Sequence, residues 1–278
     1  MSLAAVVSVP PAAQPGAACD ASVVVQSAYA SATVKAAPGS QPADSLPADT
    51  VHHRVFIARH GERADFANPA WKATAANPDD PPLTERGLQQ AHELGVRLQD
   101  EGIQHIYASP FLRTAQTAHQ VAAVLGLAVR LEIGICEGLT QRIFPAGRPH
   151  LRSPHELSSL LPLIDTSYRS HAHVAYPETY QQAQARCQLV AQLIAERHPH
   201  ENVLLVGHGL SVEYLARAYV TNQPCSLHIP YCALTECIRS PGGKEWRYGV
   251  HMQHDFLSVQ QPKTEADIQR ASWGMSAS

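Results

Sequence analysis

Two short apolar runs, each broken off by a histidine beside glycine, constrain this chain more than any other feature. Val55-Phe56-Ile57-Ala58 runs into Arg59-His60-Gly61-Glu62-Arg63, and Val203-Leu204-Leu205-Val206 runs into Gly207-His208-Gly209. Four apolar residues bounded by charge or glycine fit a buried strand that ends in a tight turn. Between the two runs, the periodicity predicts a helix from about Thr84 to Glu101, a strand over Ile103–Ala108, a helix from Leu112 to Gly126 and a short strand over Val129–Glu132. Thr84 caps the first of these helices, and Leu88, Ala91, Leu94 and Leu98 fall on one of its faces. A long helix over Tyr180–Arg197 precedes the second apolar run, and another follows it over Ser211–Tyr219. This order of strand, helix, strand implies a mainly parallel sheet covered by helices on both faces.

Two strands, Ile229–Ile238 and Trp246–Val250, are expected beyond that, joined by a turn at Pro241-Gly242-Gly243. Ala64 to Pro82 is dense in proline and reads as a long loop that walls the end of the first strand, with Phe66 and Trp71 available to touch a ligand or to pack. Residues 134–176 carry prolines at 145, 149, 154 and 162 among Leu-rich pieces, and read as a helical insertion or cap. Residues 1–50 are rich in Ala, Pro, Ser and Gln without a sustained period, which predicts a flexible tail with a folded body from Val51 to Ser278. Within that tail, Val23–Val25 is a candidate edge strand.

A net charge of -3 gives no electrostatic footprint for nucleic acid. The six cysteines include no C-x-x-C pair, so a reduced, cytoplasmic setting without a disulfide framework is expected. No run approaches eighteen apolar residues, which argues against a membrane span. MSLAAVVSVPP lacks the basic and long apolar regions of a secretory signal. Exposed sheet edges and the C-terminal strands are candidate contacts for a homodimer.

Ends of parallel strands on one side of a sheet converge in space. That brings together Arg59, His60 and Arg63, then Arg113, Glu137 and His208. Taken singly, each has an ordinary structural reading: a turn histidine, a surface salt-bridge arginine. Glu132 and Glu137 compete for one acidic role, and spacing does not choose between them. His52, His53, His92, His105 and His119 read as surface or satisfied side chains. Jointly, the two histidines and the arginines suit a phosphate monoester. A neutral histidine attacks phosphorus, arginines hold the non-bridging oxygens, and a carboxyl group protonates the leaving alcohol. Guanidinium groups supply the positive charge, and no H-E-x-x-H or D-x-D pattern calls for a metal or cofactor.

At these residues the chain resembles the histidine phosphatase superfamily, also called phosphoglycerate mutase-like, in its first branch. The resemblance rests on Arg59-His60-Gly61, Leu83-Thr84-Glu85-Arg86-Gly87, Ala108-Ser109-Pro110-Phe111-Leu112-Arg113-Thr114-Ala115 and Val206-Gly207-His208-Gly209, and covers roughly residues 52–257. It implies a three-layer α/β/α sandwich and a metal-independent phosphomonoester hydrolase acting through a phosphohistidine. By the same resemblance His60 is the nucleophile, Arg59, Arg113 and His208 form the phosphate pocket, and Glu137 is the proton donor. His60-Gly61-Glu62-Arg63 is similar to the subgroup of the suppressor-of-T-cell-receptor-signalling and ecdysteroid-phosphate phosphatases, which adds Arg63 to the pocket. Trp71 in the 64–82 insertion and Cys136 before Glu137 favour aromatic or hydrophobic phosphomonoesters, phosphotyrosine included, as the expected substrates. No stretch resembles that subgroup's SH3 or ubiquitin-associated domains. The competing expectations are a phosphoglycerate or sugar-phosphate mutase or phosphatase, and a catalytically weak interaction module.

Overall fold

The computed structural model describes residues 53–221, 229–240 and 245–259. The expected tail, the Val23–Val25 strand and the Pro241-Gly242-Gly243 turn lie outside the described residues. Among the described residues six strands form one sheet: β1 (Arg54–Arg59), β2 (Ile103–Ala108), β3 (Val129–Leu131), β4 (Asn202–Gly207), β5 (Leu234–Arg239) and β6 (Trp246–Tyr248). Their order across the sheet is β3-β2-β4-β1-β5-β6. The first four run parallel, and β5 and β6 add on antiparallel.

The four central helices pack in two pairs: α3 (Glu85–Leu98) with α4 (Leu112–Leu125), and α6 (Tyr180–Arg197) with α7 (Gly209–Tyr219). Strand alternation assigns the faces. Val55, Ile57, Tyr107, Val203 and Leu205 join Val190, Ala191 and Ile194 of α6 and Val212 and Leu215 of α7 in one buried cluster. Phe56, Ala58, Ile106, Ala108, Leu204 and Val206, all buried, point to the other face. Their runs read as continuously apolar because both faces of these strands are covered.

The helix boundaries follow their caps. Thr84 accepts from the Gly87 amide and starts α3, and Gly126, at φ 68, ends α4 in the left-handed conformation. Thr179 and Gln182 form a capping box on α6. Ala64 to Pro82 is not a plain loop, since it holds two single-turn helices, α1 (Ala64–Ala67) and α2 (Trp71–Thr74). The stretch 134–176 has less helix than expected: one 3-10 turn at Ile133–Ile135 and α5 (Pro154–Ser158).

The strand expected from Ile229 begins only at Leu234. Residues 229–233 turn instead, with Cys232 at φ 52 and its amide bonded to the His60 carbonyl at 3.3 Å. The segment closes over the end of β1 rather than extending β5. No helix among the described residues is long and apolar enough to cross a membrane. Cys136, Cys187, Cys232 and Cys237 are free and buried.

Candidate active site

The sheet register builds the centre. Arg59 is the pairing partner of Gly207, so the residues that follow them, His60 and His208, leave adjacent strands side by side. Their rings sit 5.4 Å apart, centroid to centroid, at 65°. The His60 amide donates to the Gly207 carbonyl at 3.0 Å, which holds the two strand ends together past the ladder.

His60 is 1 % exposed, and its Nδ1 lies 2.7 Å from the Gly61 carbonyl oxygen. A carbonyl only accepts, so Nδ1 carries the proton and the lone pair is on Nε2. Burial holds its pKa well below the ordinary histidine value, with the charges of Arg59, Arg113 and Arg63 acting the same way and the Gly61 bond opposing them. His60 is therefore neutral, with an unprotonated Nε2.

His208 caps α7 and is buried, its Nε2 held 2.9 Å from Ser109 Oγ at the end of β2. Its Nδ1 is buried without a hydrogen-bond partner among the described residues. Burial and then Arg113, His60 and the other two arginines lower its pKa as well.

Arg113, in the first turn of α4, is 1 % exposed, with Nε and Nη1 lacking hydrogen-bond partners among the described residues. Its guanidinium lies 4.5 Å over the Phe111 ring, and the nearest carboxylate is Asp80, at 3.9 Å. Burial brings its pKa down to about 9, which leaves it charged at neutral pH. A buried cation with open donors is suited to an oxyanion that brings its own charge.

Arg63 is held by Asp65, through Nε at 2.6 Å and Nη2 at 2.8 Å, and lies over the Phe66 ring. That orients its fork and leaves Nη1 outside the pair. Arg59 donates to the Ile229 carbonyl and lies 4.3 Å over Tyr231, whose ring also faces His60. Arg63, Arg113 and Glu137 line one small cleft together with Lys72 and Phe144. The two glutamates that spacing left open differ sharply. Glu132 accepts from Gly134, Tyr168, Ser170 and His171, four bonds that fold its own loop. Among the described residues Glu137 accepts a hydrogen bond only from its neighbour Gly138, and it faces the cleft. A larger concavity of about 860 Å³, against Tyr219, Arg239 and Trp246, contains none of these six residues.

Residues 55–250 match the histidine phosphatase superfamily, branch 1. The chain belongs to that superfamily. It is 29% identical over 214 residues to the human ubiquitin-associated and SH3 domain-containing protein A, covering 62% of this chain and 32% of that one. The mouse protein B of the same name is 34% identical over 197 residues, 57% of this chain and 31% of its own. The chain thus spans about a third of the length of the curated relatives it matches. The crystal structure of an ecdysone phosphate phosphatase from Bombix mori in complex with tungstate has the same fold, with a TM-score of 0.63 at 22% identity over 78% of this chain and 99% of that one.

Histidine phosphatase membership accounts for the four motifs, but not for the charged residues that tension them. Asp65 and Asp80, both buried, hold the two arginines of the cleft; Asp80 also accepts from the Leu112 amide at 2.7 Å and from Arg152 at 2.7 Å. Buried Cys136 packs with Phe111, Leu139, Phe144 and Val174, and burial pushes its thiol up to about 12, so it serves the packing. His53 corrects the expectation of a surface or satisfied ring: it is buried against Trp246 with neither nitrogen hydrogen-bonded among the described residues.

At the opposite, amino-terminal end of the strands, ligand-type atoms of His105, His198 and Glu201 lie within 4.8 Å of one another. Arg130 Nη1 stands 2.8 Å from His105 Nδ1 and can only donate, so His105 Nε2 carries the proton; it lies 3.0 Å from Glu201 Oε2 without the alignment of a hydrogen bond. His198 Nδ1 reaches the same oxygen at 2.6 Å. The set is a carboxylate bonded to one imidazole, beside a second imidazole that a guanidinium holds.

Proposed function

We propose that this chain is a phosphomonoester hydrolase that works through a phosphohistidine on His60. The observation that carries the reading is the state of His60: buried, neutral, its proton fixed on Nδ1 by Gly61, beside a buried Arg113 with open donors. In the first step His60 Nε2 forms a bond to phosphorus as the ester P–O bond breaks, and Glu137 gives its proton to the leaving oxygen. In the second, water attacks phosphorus, Glu137 takes the water's proton, and the N–P bond breaks to release phosphate. Arg59, Arg63, Arg113 and a protonated His208 hold the three non-bridging oxygens and stabilise their charge. The amino-terminal end of α7, whose cap is His208, adds its dipole to that pocket.

The substrates this reading favours are aryl and hydrophobic phosphomonoesters, phosphotyrosine among them. Phe144 and Ile143 line the cleft, and Phe66 is at its rim beside Arg63, which gives an apolar leaving group surface to rest on. The similar Bombix mori structure, an ecdysone phosphate phosphatase, points the same way.

The test is hydrolysis of p-nitrophenyl phosphate by purified protein in EDTA, with His60→Ala run beside it. Turnover that the variant loses by at least about 10³-fold is expected. Folded wild-type protein with no turnover on aryl or alkyl phosphates between pH 5 and 8 would overturn the reading and leave a binding module.

A further inference from the structure

Arg186 stands on α6, in none of the motifs that carry the chemistry, yet both its terminal nitrogens reach the loop that bears Glu137. Its Nη1 donates to the Gly134 carbonyl at 2.8 Å and the Cys136 carbonyl at 3.4 Å, and Nη2 to the Glu137 carbonyl at 3.2 Å. The remaining edge meets Glu178, Nε to Oε2 at 3.1 Å and Nη2 to Oε1 at 2.5 Å. Glu178 in turn accepts from the Leu139 amide at 2.7 Å and donates its own amide to the Leu139 carbonyl at 3.0 Å. One buried ion pair thus fastens the backbone at 134, 136, 137 and 139, on both sides of the glutamate.

A buried Arg–Glu pair is weak support for stability, because desolvation offsets its attraction. Its geometry is what an apolar pair could not supply: a planar fork reaching three carbonyls in and just after the 3-10 turn at Ile133–Ile135. We propose that Arg186 is a positioning residue for the acid, holding the Glu137 carboxyl over the cleft at the leaving-group side. This rests on the phosphatase reading above, since it assigns Arg186 a role in the proton transfer made by Glu137.

Proton donation matters most when the leaving oxygen is basic. The experiment therefore measures kcat/KM for wild type, Arg186→Gln and Glu137→Gln on a series of aryl phosphates of rising leaving-group pKa, ending in an alkyl phosphate. Arg186→Gln is expected to stay within about threefold of wild type on the most acidic phenols and to lose about tenfold or more on the alkyl ester, repeating the steepened dependence of Glu137→Gln. The double variant should lose no more than Glu137→Gln alone. Arg186→Lys, a point charge in place of the fork, should not restore the wild-type slope. Should Arg186→Gln fail to fold, Glu178→Gln keeps the side-chain volume, releases the fork and is expected to steepen the dependence in the same direction. A uniform loss across the series, or a double variant in which the two losses multiply, overturns the positioning role. If wild type turns over and Glu137→Gln steepens the series while neither Arg186→Gln nor Glu178→Gln does, only this inference fails; if wild type does not turn over, the phosphatase reading fails first.

Discussion

The His60 and His208 rings face each other at 5.4 Å because Arg59 and Gly207 are register partners on adjacent parallel strands. Two imidazoles so placed, under three guanidinium groups, cannot both hold protons, and burial keeps both pKa values well below the ordinary range. A bound dianion reverses that field. His208, whose Nδ1 has no partner among the described residues, is the ring that should then take up a proton and donate it to the oxyanion. Calorimetry of tungstate binding at pH 7 in buffers of different ionisation enthalpy is expected to give a slope of about 0.5–1 proton taken up. His208→Asn should bring the slope near zero; a wild-type slope of zero would sink the idea.

The same lowered pKa values set how stability responds to acid. His53 goes from 6.5 to about 4, and His60 and His208 are also lowered, each chiefly through burial. Between the lowered folded values and 6.5 the unfolded chain binds more protons than the native one, so stability is full above about pH 6.5 and drains away as pH falls below it. The urea midpoint should drop between pH 7.5 and pH 5. His53→Phe keeps the ring against Trp246 and removes the titration, so its midpoint should drop less over that interval. An identical drop in the variant would exclude His53 as a contributor.

Arg113 illustrates a conflict between stability and chemistry. It is fully buried and its one nearby carboxylate, at 3.9 Å, already serves Leu112 and Arg152. Replacing an under-paired buried ion with an apolar chain of similar length is often neutral or stabilising. Arg113→Met is expected to melt at or above the wild-type temperature while losing about 10³-fold or more in kcat/KM. Arg113→Lys, which keeps charge without the fork, should still lose about 10²-fold. A clear fall in melting temperature for the Met variant would show that Asp80 and Arg113 depend on each other more than their distance suggests.

The strand ends and caps were legible because their signals are local. Val55–Ala58 and Val203–Val206 are apolar on both faces, Thr84 is a capping residue three positions before its partner, and Gly126 stands where a left-handed residue is needed. All six candidate residues come to the same end of the sheet for that reason. What was not legible depends on distant partners. Asp65, Asp80, Glu178 and Arg186 sit in loops or on a helix with no period that marks them, and each is explained only by a residue the fold brings near. Ile229–Ala233 was misread as strand because its composition is apolar, whereas Pro230 and the left-handed Cys232 turn it toward His60. Spacing treats Glu132 and Glu137 alike, and the four donors that converge on Glu132 come from residues distant in sequence or from its own loop.

Gly87 shows how the second motif reaches the chemistry without touching it. A Cβ at Gly87 would stand 2.2 Å from the Glu62 carbonyl oxygen, and one at Gly61 2.5 Å from the Gly87 carbonyl oxygen. Backbone meets backbone there, so no side chain can swing aside. The contact is clasped further by the Thr84 amide on the Glu62 carbonyl at 3.0 Å and the Glu62 amide on Gln90 at 2.9 Å. Gly87→Ala must therefore push the His60–Arg63 turn away from α3. A cost of about 1–3 kcal/mol in unfolding free energy is expected, with a loss of about 10²-fold in kcat/KM from displacement of the nucleophile by a fraction of an ångström to an ångström. Gly95→Ala, in the same helix, is the control: its Cβ meets the Val124 side chain at 2.9 Å, far from the turn, and should cost stability with activity kept. Urea denaturation and steady-state kinetics on both variants decide it. Equal activity in the two would mean that the turn is held by β1 and β4 alone, and that the glycine contact serves packing only.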